Sequence, residues 1–274
     1  MKNTSLVALI ISTIFASAAF ATEPDASSNN KKTISANLIP ETPDNKFSIG
    51  LAAGTTIPLG AFGTSTVGTD STHINGYAHT GFHFNATVGY KIYKMIGAMV
   101  MIGGNINSCS PPTTYFSGIS FTPVPSGPHY LGQYLAGPYV SIPVGKKLSL
   151  EARALVGLIT SSYPEITASA SGTAGFFGSI TASTDTKYKS GAAFGYSGSV
   201  GAKYMLGSHF GLTLHVAYSG SNMKYPNYTV HTTEISSGYF STAIPSVNTT
   251  NTYNTPVHMS IGMINISAGA AYSF

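Results

Sequence analysis

The chain has 274 residues, 43% of them hydrophobic and only 8% charged, with 30 Gly, 17 Tyr, 14 Phe and no Trp. Charged residues make up about a quarter of an ordinary soluble protein, so a conventional water-facing shell is hard to build here. The apolar content argues equally against disorder. The net charge of +4 is mild, and without a basic stripe there is no case for nucleic acid as a partner.

After the first two dozen residues, no stretch approaches the roughly 18–20 apolar residues that a membrane helix needs. What remains is a chain whose apolar residues fall at every second position, the composition of a transmembrane β-barrel. Residues 1–21 read as a signal peptide: Lys2 gives the charged start, Leu6 to Ile14 the apolar stretch, and Ala19-Phe20-Ala21 an A-x-A cleavage site. Residues 22–45 are polar, aperiodic and proline-containing, a flexible periplasmic leader. The barrel domain is expected over 46–274.

Eight strands are predicted. The first, 46–59, sets Phe47, Ile49 and Leu51 against Ser48, Gly50 and Ala52. The second, 78–93, sets Phe82, Phe84, Val88 and Tyr90 against His83, Asn85 and Thr87. The third, 95–108, points Ile96, Val100 and Ile102 one way and Met99 and Met101 the other, so its facing is the least defined. The fourth, 129–144, contains Pro138, which cannot donate to a ladder and suggests a bulge. The fifth, 147–161, places Leu148, Leu150 and Val156 outside and Ser149, Glu151 and Arg153 inside. The sixth, 189–205, turns Phe194, Tyr196 and Tyr204 out and Ser197 and Lys203 in. The seventh, 209–221, turns Phe210, Leu212 and Leu214 out and Thr213 and His215 in. In the last, Ile264, Ile266, Ala268, Ala270, Tyr272 and Phe274 alternate with Asn265, Ser267, Gly269, Ala271 and Ser273.

The connections alternate in length. Tight turns lie around Tyr93-Lys94, Gly145-Lys146-Lys147 and Leu206-Gly207-Ser208, and long ones span 60–77, 109–128, 162–188 and 222–255. Short turns on the periplasmic rim and four long extracellular loops define an eight-stranded antiparallel outer-membrane barrel. With no Trp, Tyr and Phe are left to form both interfacial girdles.

The segments FSIGLAAGTTIPLGAFG, YLAGPYVSIPVGKKLSLEARALVGL, FGYSGSVGAKYMLGSHFGLTLHVAYSG and INISAGAAYSF resemble the small eight-stranded outer-membrane barrels, the OmpA transmembrane domain, OmpX and opacity-protein group. The resemblance covers 46–274 and implies architecture rather than activity, because that family hosts adhesins, invasins, channels and lipid-modifying enzymes. It also implies outer-membrane lipid and lipopolysaccharide as surroundings, and Tyr272 and Phe274 as the signal read by the barrel assembly machinery. The terminal pattern departs from the family's at Ala270, where a glycine is usual and Gly269 is its neighbour.

An eight-stranded barrel is just wide enough for side chains to fill. The predicted lumen set is His83, Asn85, Glu151, Arg153, Lys203 and His215, with Glu151 and Lys203 placed to pair. Buried charge must be paired or hydrogen-bonded, so these residues read as a polar network plugging the barrel. A gated anion conduit lined by Arg153 and Lys203 is the sharper reading.

No enzyme is expected. Glu151 is the only acid on an inward strand face, and His215 and Ser219 lie four residues apart, about 13 Å on a strand, too far for a nucleophile and its base. Metal binding is not expected either, since His79 and His83 are spaced as ligands only on a helix. No cofactor is implied. Cys109 stands alone and is either shielded or a free thiol. The rim lysines Lys91, Lys94, Lys146, Lys147 and Lys203 read as charged turns that hold the rim in water.

The expected function is a monomeric, surface-exposed structural or interaction protein of adhesion type, with a host or surface ligand held by the loops. A narrow porin-like channel for small solutes is the alternative, and a lipid A-modifying enzyme a distant third.

Overall fold

Period-two alternation becomes, in a computed structural model, eight long strands that close on themselves. The structure describes residues 45–66, 72–116, 119–173, 179–237 and 247–274. The expected signal peptide, 1–21, and residues 22–44 of the expected leader lie outside the described residues. In chain order the strands are β1 (Phe47–Leu59), β2 (Gly81–Tyr93), β3 (Ile96–Asn107), β4 (Thr114–Phe116), β5 (Ile119–Pro125), β6 (His129–Pro143) and β7 (Leu148–Ser162). They continue with β8 (Ile166–Thr173), β9 (Ser179–Tyr188), β10 (Gly191–Met205), β11 (Phe210–Tyr225), β12 (Tyr228–Ser237), β13 (Val247–Tyr253) and β14 (Val257–Ser273).

The barrel runs β1-β14-β11-β10-β7-β6-β3-β2, every neighbouring pair antiparallel. Closure is made by β1 and β14, whose ends exchange two hydrogen bonds of 2.9 Å between the backbones of Phe47 and Phe274. Closing a sheet removes the unpaired edges that hydrocarbon could not satisfy.

The exterior is apolar throughout: Leu51, Val88, Val100, Ile102, Leu150, Val156, Leu214 and Val216 are all exposed. Two aromatic borders flank this belt. Phe47, Tyr90, Tyr204, Phe210, Tyr272 and Phe274 lie toward the rim of short turns, and Phe82, Phe84, Tyr130, Tyr134, Phe194 and Tyr196 toward the opposite rim. An exposed apolar belt with aromatic borders meets lipid, not water. The third strand's facing resolves with Met99 and Met101 buried inside and Val100 and Ile102 outside.

Pro138 corrects one expectation. The β6–β7 register runs from Ala136↔Val156 to Tyr139↔Arg153 with no shift, so no bulge forms. Pro138 keeps its place opposite Ala98 on β3 and only interrupts the ladder toward β7. The chain skips a bond instead of inserting a residue.

The larger correction concerns the long connections. Three of the four expected loops, 109–128, 162–188 and 222–255, carry strands that pair into a second, six-stranded sheet, β13-β12-β9-β8-β5-β4. Its centre is the β9–β12 ladder, ten positions from Tyr228↔Tyr188 to Ser237↔Ser179. The first long connection instead folds over the barrel mouth. Gly76 and Ala78 donate to the carbonyls of Ala61 and Phe62, and Ile74 donates to His258 on β14.

Candidate functional site

The lumen divides into three levels. At the short-turn rim is an open vestibule of about 640 Å³, lined among others by Lys46, Lys91, Lys147, Tyr139, Met99 and Lys203. Lys203 Nζ donates to Ser273 Oγ at 2.8 Å across the wall.

Above it sits a compact polar network. Arg153 Nη2 donates to Glu151 Oε2 at 2.8 Å and to His215 Nε2 at 2.7 Å. Since Nε2 accepts, the ring hydrogen of His215 is on Nδ1. Gly201, opposite His215 on β10, is required by this arrangement: a Cβ there would collide with the imidazole and with the Leu214 carbonyl. A second cluster joins His83 to Asn105 through Nδ1 and to Asn85 through Nε2. Asn105 also donates to the Met263 thioether.

Between the clusters lies a cavity of about 20 Å³. It is bordered by Gln133, Arg153, His215 and Asn265, each of which has one buried polar atom without a protein partner. The space suits a single water molecule with those atoms as partners.

The third level is an apolar plug at the far mouth. Met223, Tyr225, Met259, Ile261 and Met263 point inward from β11 and β14 and are essentially fully buried, with Ile159 and Leu131 opposite. Phe62 from the first long connection covers them at zero exposure. Tyr163 fixes this cap. Its hydroxyl donates to the Asn75 carbonyl at 2.8 Å, and its ring meets His129 edge-on at 4.8 Å and Tyr225 at 6.0 Å. Burial raises the Tyr163 hydroxyl well above its ordinary pKa and pushes the Tyr188 hydroxyl to about 12.

All six residues expected in the lumen face it: His83, Asn85, Glu151, Arg153, Lys203 and His215. The pairing does not follow expectation. Glu151 binds Arg153 and approaches His215 at 3.6 Å, while Lys203 bonds Ser273. Arg153 wins because it sits two residues from Glu151 on the same inward face and its fork reaches both neighbours. Ser219 donates to Ser197 at 3.0 Å, while His215 accepts from Arg153. Cys109 is shielded: its thiol donates weakly to the Gly76 carbonyl, and burial pushes it up to about 12. His79 lies exposed outside β2 while His83 is buried on it, so the two do not share a site. Among the described residues no group of three or more His, Cys, Asp or Glu could hold a metal.

The plug itself was missed by sequence reasoning. Its signal was there in the alternate spacing of Met223 and Tyr225, and of Met259, Ile261 and Met263.

Above the mouth, the six-stranded sheet separates two faces. One carries Tyr188, Tyr228 and Tyr253 in register, with ring centroids 5.5 and 4.9 Å apart, continuing the plug's aromatic stack. The other carries Ser183, Asp185 and Lys187 beside Thr229, His231 and Thr233, then Asn248, Thr250 and Thr252. His231 meets the Thr250 hydroxyl at 2.8 Å.

A closed antiparallel barrel with an aromatic-bordered apolar exterior, tight turns on one rim and long structured excursions on the other is an outer-membrane β-barrel. No protein-family model and no curated protein matches the chain. Among solved structures, it is similar to Neisserial surface protein A, with 14% identity and a TM-score of 0.39, over 83% of this chain and 97% of that one. It is similar to the attachment invasion locus protein Ail of Yersinia pestis, with 14% identity and a TM-score of 0.35, over 84% and 97% of the two chains. A major outer membrane protein of Thermus thermophilus gives 11% identity and a TM-score of 0.41, over 84% and 100%.

Proposed function

We propose that this protein is a surface interaction protein of adhesion type, whose contact surface is the face of the six-stranded sheet opposite the Tyr188, Tyr228 and Tyr253 row. One observation carries the reading: three separate excursions, composed like loops, pair into a single sheet instead of remaining independent. Ordering so much polar chain costs conformational entropy, and a fixed presentation of side chains gives that order a use. Thr, Ser and Asn supply adaptable hydrogen bonding, while the strands hold them in register. The apolar plug supports the same reading, since it closes the lumen directly beneath the sheet.

The test is to display the full chain on a non-adherent Gram-negative host and measure attachment to epithelial monolayers. Replacing residues 231–250 with a Gly-Ser linker removes the outer half of the β12–β13 hairpin and leaves the barrel strands untouched. The expected result is attachment by the parent and its loss in the variant, with heat-modifiable gel migration retained in both. Equal attachment of the two, or none by the parent, overturns the proposal.

A further inference from the structure

The chain carries 13 Lys and Arg in all, and seven of them line the vestibule at the short-turn rim. Lys91 and Lys94 come from the β2–β3 turn, Lys146 and Lys147 from the β6–β7 turn, and Lys46 precedes β1. Arg153 and Lys203 stand deeper on the wall. Glu151 is the only carboxylate side chain among the described residues that lines this space, and Arg153 already neutralises it. Among the described residues, none of the five rim lysines is in an ion pair. The Lys203 ammonium, among the described residues, bonds a neutral hydroxyl, that of Ser273.

Solvation of the turns accounts for lysines pointing away from the barrel. It does not account for a concave space with a cation on its inner wall and, among the described residues, no acid left to answer it. A cleft lined by one sign of charge within low-dielectric walls focuses its field and concentrates counter-ions. The space of about 640 Å³ lies within the roughly 300–1,000 Å³ of small-molecule sites. Tyr139, Met99 and Met205 give it an apolar shelf beside the charges.

We propose that this vestibule is a binding site for a phosphate-bearing anion entering from the periplasmic side. Phosphate is the fitting class because the available donors are ammonium groups, compact point charges that suit a tetrahedral polyanion. The one guanidinium, whose fork would fit a carboxylate or a phosphate, is already engaged by Glu151 and His215, which leaves the ammonium groups as donors. The site ends blindly beneath the polar network, so it holds its ligand rather than conducting it. Lys203 is the inner contact and the turn lysines are the guiding ring.

The test is calorimetric titration of inorganic pyrophosphate into the mature chain, folded in a zwitterionic detergent. Saturable binding that weakens with added salt is expected. Lys203→Gln should weaken it about tenfold, the scale of one charged hydrogen bond, and Lys203→Arg should retain it. Lys224→Gln removes an equal charge on the other side of the membrane and should leave binding unchanged. The pair Lys146→Gln and Lys147→Gln gives an independent reading of the guiding ring, should Lys203→Gln fail to fold.

Nanodiscs identify the source of the phosphate. Weaker pyrophosphate binding in phosphatidylglycerol than in phosphatidylcholine assigns the site to a lipid headgroup, and equal binding assigns it to a soluble phosphate. Absence of saturable binding overturns the proposal, as does equal weakening by Lys203→Gln and Lys224→Gln.

Discussion

Arg153 shows how one side chain organises the lumen. It holds Glu151 and His215 at once, and the ion-paired side chains are only 10% and 8% exposed. Breaking such a pair leaves a charge buried without a partner, whereas removing both charges together is close to neutral. Arg153→Ala should therefore destabilise the barrel by about 3–5 kcal/mol. The double variant Arg153→Met with Glu151→Gln should recover most of that loss. Urea unfolding in lipid vesicles, followed by heat-modifiable migration, measures both. Equal losses in the single and double variants would mean that packing of the Arg153 stem, not charge, matters there. Which residues face the lumen was legible in the sequence, because parity alone decides facing on a strand. Partner choice was not, because it depends on stagger between strands. Lys203 lies opposite Ser149 on β7, two registers from the Gly201↔Glu151 pair, and finds Ser273 nearer.

Strands whose two faces meet different surroundings can be read from sequence, and strands whose faces meet similar ones cannot. The expected start of the last strand, Ile264, falls seven residues after Val257, where β14 begins. In the missing stretch the lumen is apolar, so Met259, Ile261 and Met263 point into a plug and polar alternation disappears. The same change of lumen hides the end of β11 at Met223 and Tyr225. In β8, β9, β12 and β13 the failure is the opposite one. Ser and Thr occupy both faces, and only the β-branched content of TVHTTEIS or SITASTDT hinted at strands. Where the contrast is strongest, on the lipid belt, position along the strand sets the energetics. Leu214 lies midway between Phe210 and Tyr218 of β11, while Leu150 lies two residues from the end of β7. Leu214→Lys should therefore cost about 2–4 kcal/mol and Leu150→Lys about 1 kcal/mol or less, since the penalty falls toward the interface. Equal costs by urea titration in lipid would mean that the membrane midplane is misplaced along the barrel axis.

At the scale of the molecule, the low charge content and the closed lumen are connected. The apolar belt needs no charges, so the few present are free to concentrate in the vestibule, the central network and the rims. At the far mouth thioethers and aromatic rings close the lumen, and the buried polar groups among them, His129 and Asn107, are packed into that plug. The narrow-channel alternative depends on that mouth. In planar bilayers the parent protein should give no discrete conductance steps. Thinning the plug with Met259→Gly, Met263→Gly and Tyr225→Ala removes side chains that pack on one another inside the wall without touching the lipid face. That variant should conduct, and it should select anions, because a permeating ion must pass Arg153 and then Lys203 in a lumen with one neutralised carboxylate. Discrete steps from the parent would move the channel reading ahead of the interaction reading. A thinned variant that folds but stays silent would place the barrier lower, at the Arg153–Glu151–His215 cluster, and Arg153→Ala in the same background would then be the step that opens it.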